Sequence, residues 1–535
     1  NITINGGAVK STFALTADAT NHKSFTFTGA TPTTISSALG AKVGTIDASG
    51  STGGVNLTVA TTATLVVTGG PGNDSINFDS SLNALGADIY DGGEGTDTIA
   101  LDAPATLTPT AVAGITNVEV LQADSSSATS YDANVIPTIT TVRSNVTEDG
   151  TDVTFKDAPS TVNVEVRGTA GIVVTPAVNT TNDVANVTLA TAVGLGVIVA
   201  GAGEISLTDY ETINFFGGAT ASDTDNIVSA ATKTITVSGP AGFTLGTPSS
   251  TVLTKIDATG LTGTAGLTME GNSGTVLYPQ TITGSAVADT LIGGSAADTI
   301  HGGGGIDTIN GAAGIDTIHG EAGNDIIDGD GGADILSGGA GNDVFSVNTD
   351  ADFITLASAE VVDGGDGKDT LDIADGDGTT IASTDLHGLK SIEVIKFSGD
   401  GTAAITLDDT TFANNGVSQL QISDTDIDTA LTVTASALTA ANSIKVNLNP
   451  AANVDDSLVG GKGDDIFTYK SSESAANGLE ATDTLTGGGG TDTLAITMDD
   501  NDIGTTNAYI TLTGATSIEK ITLTGVTTSS LTFGN

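Results

Sequence analysis

From residue 284 to residue 346 the chain repeats itself every nine residues without an insertion, as GSAVADTLI, GGSAADTIH, GGGGIDTIN, GAAGIDTIH, GEAGNDIID, GDGGADILS and GGAGNDVFS. A short fixed period constrains the fold more than any local propensity, because one small unit must stack on copies of itself. The sixth position is always aspartate: Asp289, Asp298, Asp307, Asp316, Asp325, Asp334 and Asp343. The eighth is always apolar: Leu291, Ile300, Ile309, Ile318, Ile327, Leu336 and Phe345. Glycine opens every unit and recurs at the second and fourth positions.

Glycine at those places permits a tight turn with positive φ and lets backbone carbonyls point inward. The last three residues of each unit are predicted to form a short strand with one buried side chain, so that two nonapeptides make one coil of a flattened solenoid. Asp289, Asp307, Asp325 and Asp343 then share one edge, and Asp298, Asp316 and Asp334 the other. Carboxylates stacked about 4.8 Å apart, the spacing of neighbouring strands, repel unless a cation lies between them. Two aspartates and the turn carbonyls supply about six oxygens, which suits Ca²⁺.

Partial copies lie outside the array. Gly69–Asp74 is followed by Asp88 and Gly92–Asp97; the array's last unit is followed by Glu360 and Gly364–Asp369. Gly460–Asp465, with Asp456 nine residues before Asp465, is followed by Asp483 and Gly487–Asp492. In each copy the middle acid precedes the last aspartate by nine residues and is expected on the opposite edge. The flanking aspartates should then face each other across an inserted loop, making Asp74 with Asp97, Asp343 with Asp369, and Asp465 with Asp492 the expected calcium pairs. The array and its copies imply on the order of eight calcium sites.

The rest of the chain reads as all-β. Short runs rich in Thr, Val and Ile are punctuated by Gly, Asn, Asp and Ser, and Val153–Lys156, Val162–Arg167 and Thr234–Val237 alternate with period two. No stretch of ten or more residues carries an apolar helical stripe. The fold class expected is all-β, with parallel β-roll segments combined with β-sandwich or β-solenoid modules. Duplication is visible: Ile46–Gly50 matches Ile256–Gly260, while Gly114–Leu121, Gly388–Ile395 and Gly514–Ile521 follow their glycine motifs at similar intervals, with Thr208–Ile213 a degenerate fourth copy. Glu119, Glu393 and Glu519 in these segments read as exposed strand positions. Four modules are expected: 1–124 with a first calcium site, 125–250 β-rich and without a motif, 251–400 with the long roll over 284–372, and 401–535 with further calcium sites.

Composition narrows the partners. Acidic residues outnumber basic ones 64 to 15, for a net charge of −49, although only 15% of residues are charged. Nucleic acid and anionic membrane surfaces recruit Lys and Arg and are excluded as direct partners. With 38% hydrophobic residues the chain is too apolar to remain disordered. No cysteine is present, which removes disulfides, thiol catalysis and thiolate metal sites. No run of about 18 apolar residues is found, so no transmembrane span is expected. The chain starts at Asn1 rather than Met, which fits a processed, exported protein. The uncharged stretch Ile521–Asn535 is either a type I export signal or a last strand.

The GGxGxDxUx array resembles the RTX, or haemolysin-type, calcium-binding repeat of exported bacterial proteins, whose fold is the parallel β-roll. The wider order of IDASG, GGxGxD, GTDTL and GIxxIExI is similar to RTX-containing surface-layer proteins of Gram-negative bacteria of the Caulobacter type. That resemblance implies secretion, calcium-dependent folding and self-assembly of the chain with itself into a two-dimensional sheet on the cell surface. Lipopolysaccharide or another cell-surface glycan is the further partner considered. Gly284–Val287 and Gly311–Gly314 lack glycines of the motif, which puts in question the sites near Asp289 and Asp316.

RTX repeats also accompany enzymes, toxins and adhesins, so the array does not settle function. The four histidines, His22, His301, His319 and His387, form no HExxH, and neither a G-x-S-x-G elbow nor a Walker A loop is present. His301 and His319 should stack on one solenoid face as solvated strand residues. The chain is therefore read as a non-enzyme, and no amphipathic membrane-active stretch suggests a toxin. An RTX adhesin or biofilm matrix protein binding a surface or glycan is the alternative to the surface layer. Moderate length, 4% aromatics and motifs spread from Asp74 to Asp492 favour the layer.

Overall fold

A computed structural model describes residues 2–7, 11–13, 23–39, 42–60, 64–78, 88–101, 107–124, 130–146, 152–167, 171–189, 205–218, 222–270, 278–347, 360–374, 380–399, 402–424, 430–448, 455–470, 483–497 and 514–524. The chain divides into two compact units, Asn1–Tyr278 and Pro279–Asn535.

Within each unit most strands pair with the next but one in sequence, and every described pairing is parallel; in the second unit Val361–Asp366, Thr370–Ile373 and Thr380–Ile381 each pair with the third strand on, Leu389–Lys390, Val394–Phe397 and Ala403–Thr406. Parallel neighbours cannot be joined by a tight hairpin. Here the connection is the intervening strand on the opposite sheet, so the chain winds as a β-solenoid, and no sandwich of antiparallel sheets is found among the described residues. In the first unit one sheet runs from Ser11–Phe13 through Thr98–Leu101 to Lys255–Leu261. The opposite face is built first by strands from Ile2–Gly6 to Ile115–Thr116, and then by strands from Ser130–Asp132 to Leu267–Met269.

In the second unit the nonapeptides form the coil that their period demands. Thr290–Ile292 pairs with Thr308–Asn310, and Thr299–Gly304 with Thr317–Ala322, one coil of two repeats further on. The eighth-position side chains face inward and are at most 3% exposed. Burying one such side chain stabilises by about 1.5–3 kcal/mol, and alternation sends its neighbours to the outer face. The strands are not the uniform three residues expected. On one side they continue through the glycines, as in Thr317–Ala322 and Ile335–Ala340, because left-handed residues let the backbone turn a corner and pair again in the same register, each residue with the one 18 further on.

In the region without motifs, larger residues fill the same interior. Tyr131 stacks on Phe155 with centroids 5.6 Å apart, and Phe215 meets Phe243 at 5.5 Å. The α-helix among the described residues, Asp409–Asn415, has seven residues; Asp408 caps its start and left-handed Gly416 ends it. No described helix is long and apolar enough to cross a membrane. Ile521 to Thr524 lie in the strand Lys520–Thr524, whereas residues 525–535 of the proposed export signal lie outside the described residues.

Candidate metal centre

Each motif aspartate stands immediately before its strand, at the corner of the coil, and is buried there. The backbone N–H of Asp289 donates to Oδ1 of Asp307 at 2.8 Å, that of Asp307 to Asp325 at 2.9 Å, and that of Asp325 to Asp343 at 2.8 Å. On the other edge Asp298 donates to Asp316 and Asp316 to Asp334, both at 2.7 Å. Across the inserted loops, Asp74 donates to Asp97 at 2.7 Å, and Asp343 to Asp369 and Asp465 to Asp492 at 2.8 Å. The middle acids lie on the opposite edge. Asp88 accepts from Leu65 N–H at 2.9 Å, Glu360 precedes the strand paired beside Asp334's, and Asp456 N–H donates to Asp483 at 3.0 Å.

This ladder corrects the expectation that a cation alone relieves the stacked carboxylates. One oxygen of each is already held by the N–H of the coil before it, a charge-assisted bond. The unresolved electrostatics sit on the other oxygen. Oδ2 of Asp97, Asp307, Asp316, Asp325, Asp343, Asp369 and Asp492 is buried without a hydrogen-bond partner. An orphaned buried carboxylate oxygen is costly. Burial, opposed by the backbone bond and reinforced by neighbouring carboxylates, pushes the carboxyls of Asp97, Asp307 and Asp316 up to about 7. Asp369, Asp456 and Asp465 are raised to about 6, again by burial first.

The motif turns exist in two states, which the repeat pattern does not reveal. In the closed state the second residue of the motif donates its N–H to Oδ2 of its own aspartate: Gly70 to Asp74 at 2.9 Å, Ser285 to Asp289 and Gly294 to Asp298 at 2.6 Å, and Gly461 to Asp465 at 2.7 Å. In the open state the second residue is left-handed, as at Gly93, Gly303, Glu321, Gly339, Gly365 and Gly488, and the orphaned Oδ2 belongs to the aspartate that follows. Closed turns open the series that begin at Asp74, Asp289, Asp298 and Asp465. Later turns stack on one before them, and their third residue donates to the second carbonyl beneath, as Gly304 does to Ser285 at 3.0 Å and Gly489 to Gly461 at 2.9 Å.

The two glycine-poor repeats differ accordingly. The Ser285 hydroxyl also lies 3.0 Å from Asp289 Oδ2, so that carboxylate is satisfied within its own turn. Ala312, at φ 66°, takes the left-handed state that glycine would, and Asp316 Oδ2 is left orphaned like the others.

What surrounds an orphaned oxygen is another acceptor. A Cβ built on Gly320 would lie 2.5 Å from Asp325 Oδ2 and 2.7 Å from the carbonyl oxygen of Gly338; on Gly311, 2.7 Å from Asp316 Oδ2 and 2.9 Å from the Gly329 carbonyl. The first glycine of the motif therefore holds a cradle in which a carboxylate and a carbonyl oxygen converge. Only a proton or a hard cation relieves such a pair, so the donor set fits calcium. Among the described residues no three His, Cys, Asp or Glu side chains converge on one point. A cation in these cradles would complete its shell from backbone carbonyls, and it would supply charge neutralisation and cross-linking of successive coils.

Glu519 is exposed as expected while Glu119 and Glu393 are half-buried, and all three do more than stand on a strand. Each stands in the aspartate slot of the following coil, and its Oε2 accepts the N–H of Asp97, Asp369 or Asp492 at 2.9, 2.8 and 2.8 Å. Glu211, in the degenerate fourth copy, accepts from Asp183 at 2.9 Å. Their shared place after a glycine motif was the available signal; the longer side chain concealed the equivalence with aspartate.

His301 and His319 pair in register with stacked rings 5.0 Å apart, and His301 Nδ1 lies 3.0 Å from Glu321. Burial and the neighbouring His301 lower the pKa of His319. His387 contacts the helix-capping Asp408 at 3.3 Å, and His22 lies outside the described residues.

No curated protein matches the chain. The RTX calcium-binding nonapeptide repeat family matches residues 84–99, 280–309, 310–345, 453–469 and 476–495, which take in the array to Asp343, Asp88 with Gly92–Asp97, and the C-terminal motifs from Asp456 to Asp492, while Gly69–Asp74, Glu360 and Gly364–Asp369 lie outside the matched residues. The chain is thus an all-β solenoid carrying RTX calcium-binding nonapeptide repeats.

Proposed function

We propose that this chain is a calcium-dependent extracellular structural protein that assembles with itself into a two-dimensional surface layer outside the outer membrane. The observation that carries the calcium part is the repeated convergence of a buried, unpartnered aspartate oxygen with a backbone carbonyl at open turns in both units. Asp74, Asp88, Asp97, Asp289, Asp298, Asp307, Asp316, Asp325, Asp334, Asp343, Glu360, Asp369, Asp456, Asp465, Asp483 and Asp492 are the acids proposed to line these columns. RTX repeat proteins are typically secreted, and calcium scarcity inside the cell would keep the coils open until export.

The spread of motifs along the chain and its small, polar, Thr-rich surface support the layer, since a repeating sheet multiplies weak contacts. In this reading the chain has no catalytic role, and a cell-surface glycan such as lipopolysaccharide anchors the sheet. Electron microscopy of purified protein with calcium and with a chelator tests the proposal. A regular sheet that dissolves on chelation supports it; monomers that bind a glycan or a cell surface in calcium point instead to an adhesin.

A further inference from the structure

The proposed ladders do not end on an aspartate. After Asp97, Asp369 and Asp492 the next corner carries no glycine motif; a non-glycine residue in the left-handed region, one apolar residue and a glutamate take its place. These are Asn117 at φ 51° before Glu119, Ser391 at φ 50° before Glu393, and Ser517 at φ 53° before Glu519. Each strained turn delivers a carbonyl to the cradle above. A Cβ on Gly92 would meet the Asn117 carbonyl oxygen and lie 2.6 Å from Asp97 Oδ2; those on Gly364 and Gly487 meet Ser391 and Ser517 in the same way. Asp97, Asp369 and Asp492 are 0% exposed, and the Oδ2 of each lacks a partner.

We infer that Asp97 with Glu119, Asp369 with Glu393, and Asp492 with Glu519 form a second class of divalent-cation site, in which glutamate and the carbonyl of a left-handed Asn or Ser replace the second glycine turn. This rests on the calcium reading above and adds ligands that the nonapeptide motif does not contain. Beyond Glu119 and Glu393 carboxylates give way to neutral groups: Thr138 hydroxyl bonds the Val118 carbonyl at 2.6 Å, and Asn415 bonds the backbone of Ile392 through both ends of its amide. These close the columns that end at Glu119 and Glu393.

The fourth copy supplies an internal contrast. Asp209, at φ 74°, precedes Glu211 in the same turn, and Asp183 N–H donates to Glu211 as elsewhere. Yet Asp183 has no glycine cradle, and its two oxygens accept the N–H of Thr180 at 2.7 Å and its hydroxyl at 2.5 Å. No acceptor is orphaned there, and no ion is assigned to it.

Calcium bound by the full chain, measured by equilibrium dialysis and elemental analysis at about 1 mM free calcium, tests the inference. Glutamine keeps the oxygen that accepts the aspartate N–H and removes only the charge. The Glu119→Gln/Glu393→Gln/Glu519→Gln variant is expected to bind about three ions fewer than the unmodified chain, one for each carboxylate lost, whereas Glu211→Gln binds the full number. Equal uptake by the triple variant overturns the inference, as does an equal loss in Glu211→Gln. Should the triple variant not fold by circular dichroism, Glu519→Gln alone, on an exposed side chain, decides it by losing one ion or none. If the unmodified chain takes up no calcium, the proposed function falls instead.

Discussion

The backbone N–H of Asp325 donates to Oδ1 of Asp343 at 2.8 Å, while Oδ2 of Asp343 is buried with no partner. One carboxylate thus does two things: it ties its coil to the preceding one and leaves a negative acceptor facing the turn. The predictions follow from that division.

Asp325→Ala removes the acceptor of the Asp307 N–H, 2.9 Å away, together with the oxygen in the Gly320 cradle. Leaving a buried donor unsatisfied costs about 1–3 kcal/mol. Thermal unfolding in calcium should show a lower midpoint, and calcium titration a loss of affinity at two adjacent sites on that edge. An unchanged calcium isotherm would refute the assignment of Asp325 as a ligand.

Protons and calcium should compete for the same oxygens. Asp97, Asp307 and Asp316 are raised from 3.8 to about 7 in the folded chain. A carboxyl raised on folding stabilises the fold while protonated, fully below its unfolded pKa, and that contribution is lost as pH rises through the folded value. In chelator, strand content by circular dichroism should therefore be retained near pH 4 and fall on titration to about pH 7 or above, while calcium restores it at neutral pH. Calcium affinity should rise across the same interval. Strand content at neutral pH that is indifferent to chelator would argue against the cation's structural role.

Glycine is required at the first motif position for want of space. In Gly320→Ala the new methyl would lie 2.5 Å from Asp325 Oδ2 and 2.7 Å from the Gly338 carbonyl, so calcium-bound stability should drop by about 1–3 kcal/mol. Around Gly331 nothing lies within 4 Å of the added carbon, and Gly331→Ala should change stability by no more than about 0.5 kcal/mol. Denaturant unfolding of the two variants side by side measures the difference.

At the second position the requirement is conformational. Ala312 sits at φ 66°, a left-handed state costing an L-residue about 1–2 kcal/mol. Ala312→Gly relieves it, and after the entropy glycine adds to the unfolded chain the net gain should be up to about 1 kcal/mol. The unfolding midpoint should rise with the calcium stoichiometry unchanged; a fall would show that the turn relaxes elsewhere.

Much of the fold was legible because its period is short. Nine residues with one inward apolar side chain and one aspartate allow few stackings, and pairs such as Ile300 with Ile318 follow directly. The region from 125 to 250 was legible only as strands. Its coils are filled by Tyr131, Phe155, Phe215 and Phe243 at irregular spacing, so no repeat announces them. Glu519 is exposed as its charge suggests, but Glu119 and Glu393 are half-buried, and the bond each of the three accepts from an aspartate N–H was not legible because their place in the coil is set by the strands they precede.

By itself the sequence determined the coil, the inward side chain and the alternation of acids between two edges, since each follows from spacing along one strand. Only the tertiary structure decided which turns are closed and which open. Whether Gly294 bonds its own aspartate or Gly303 turns left-handed depends on what the preceding coil presents. That neighbour is a full coil away along the chain, and no local pattern encodes it.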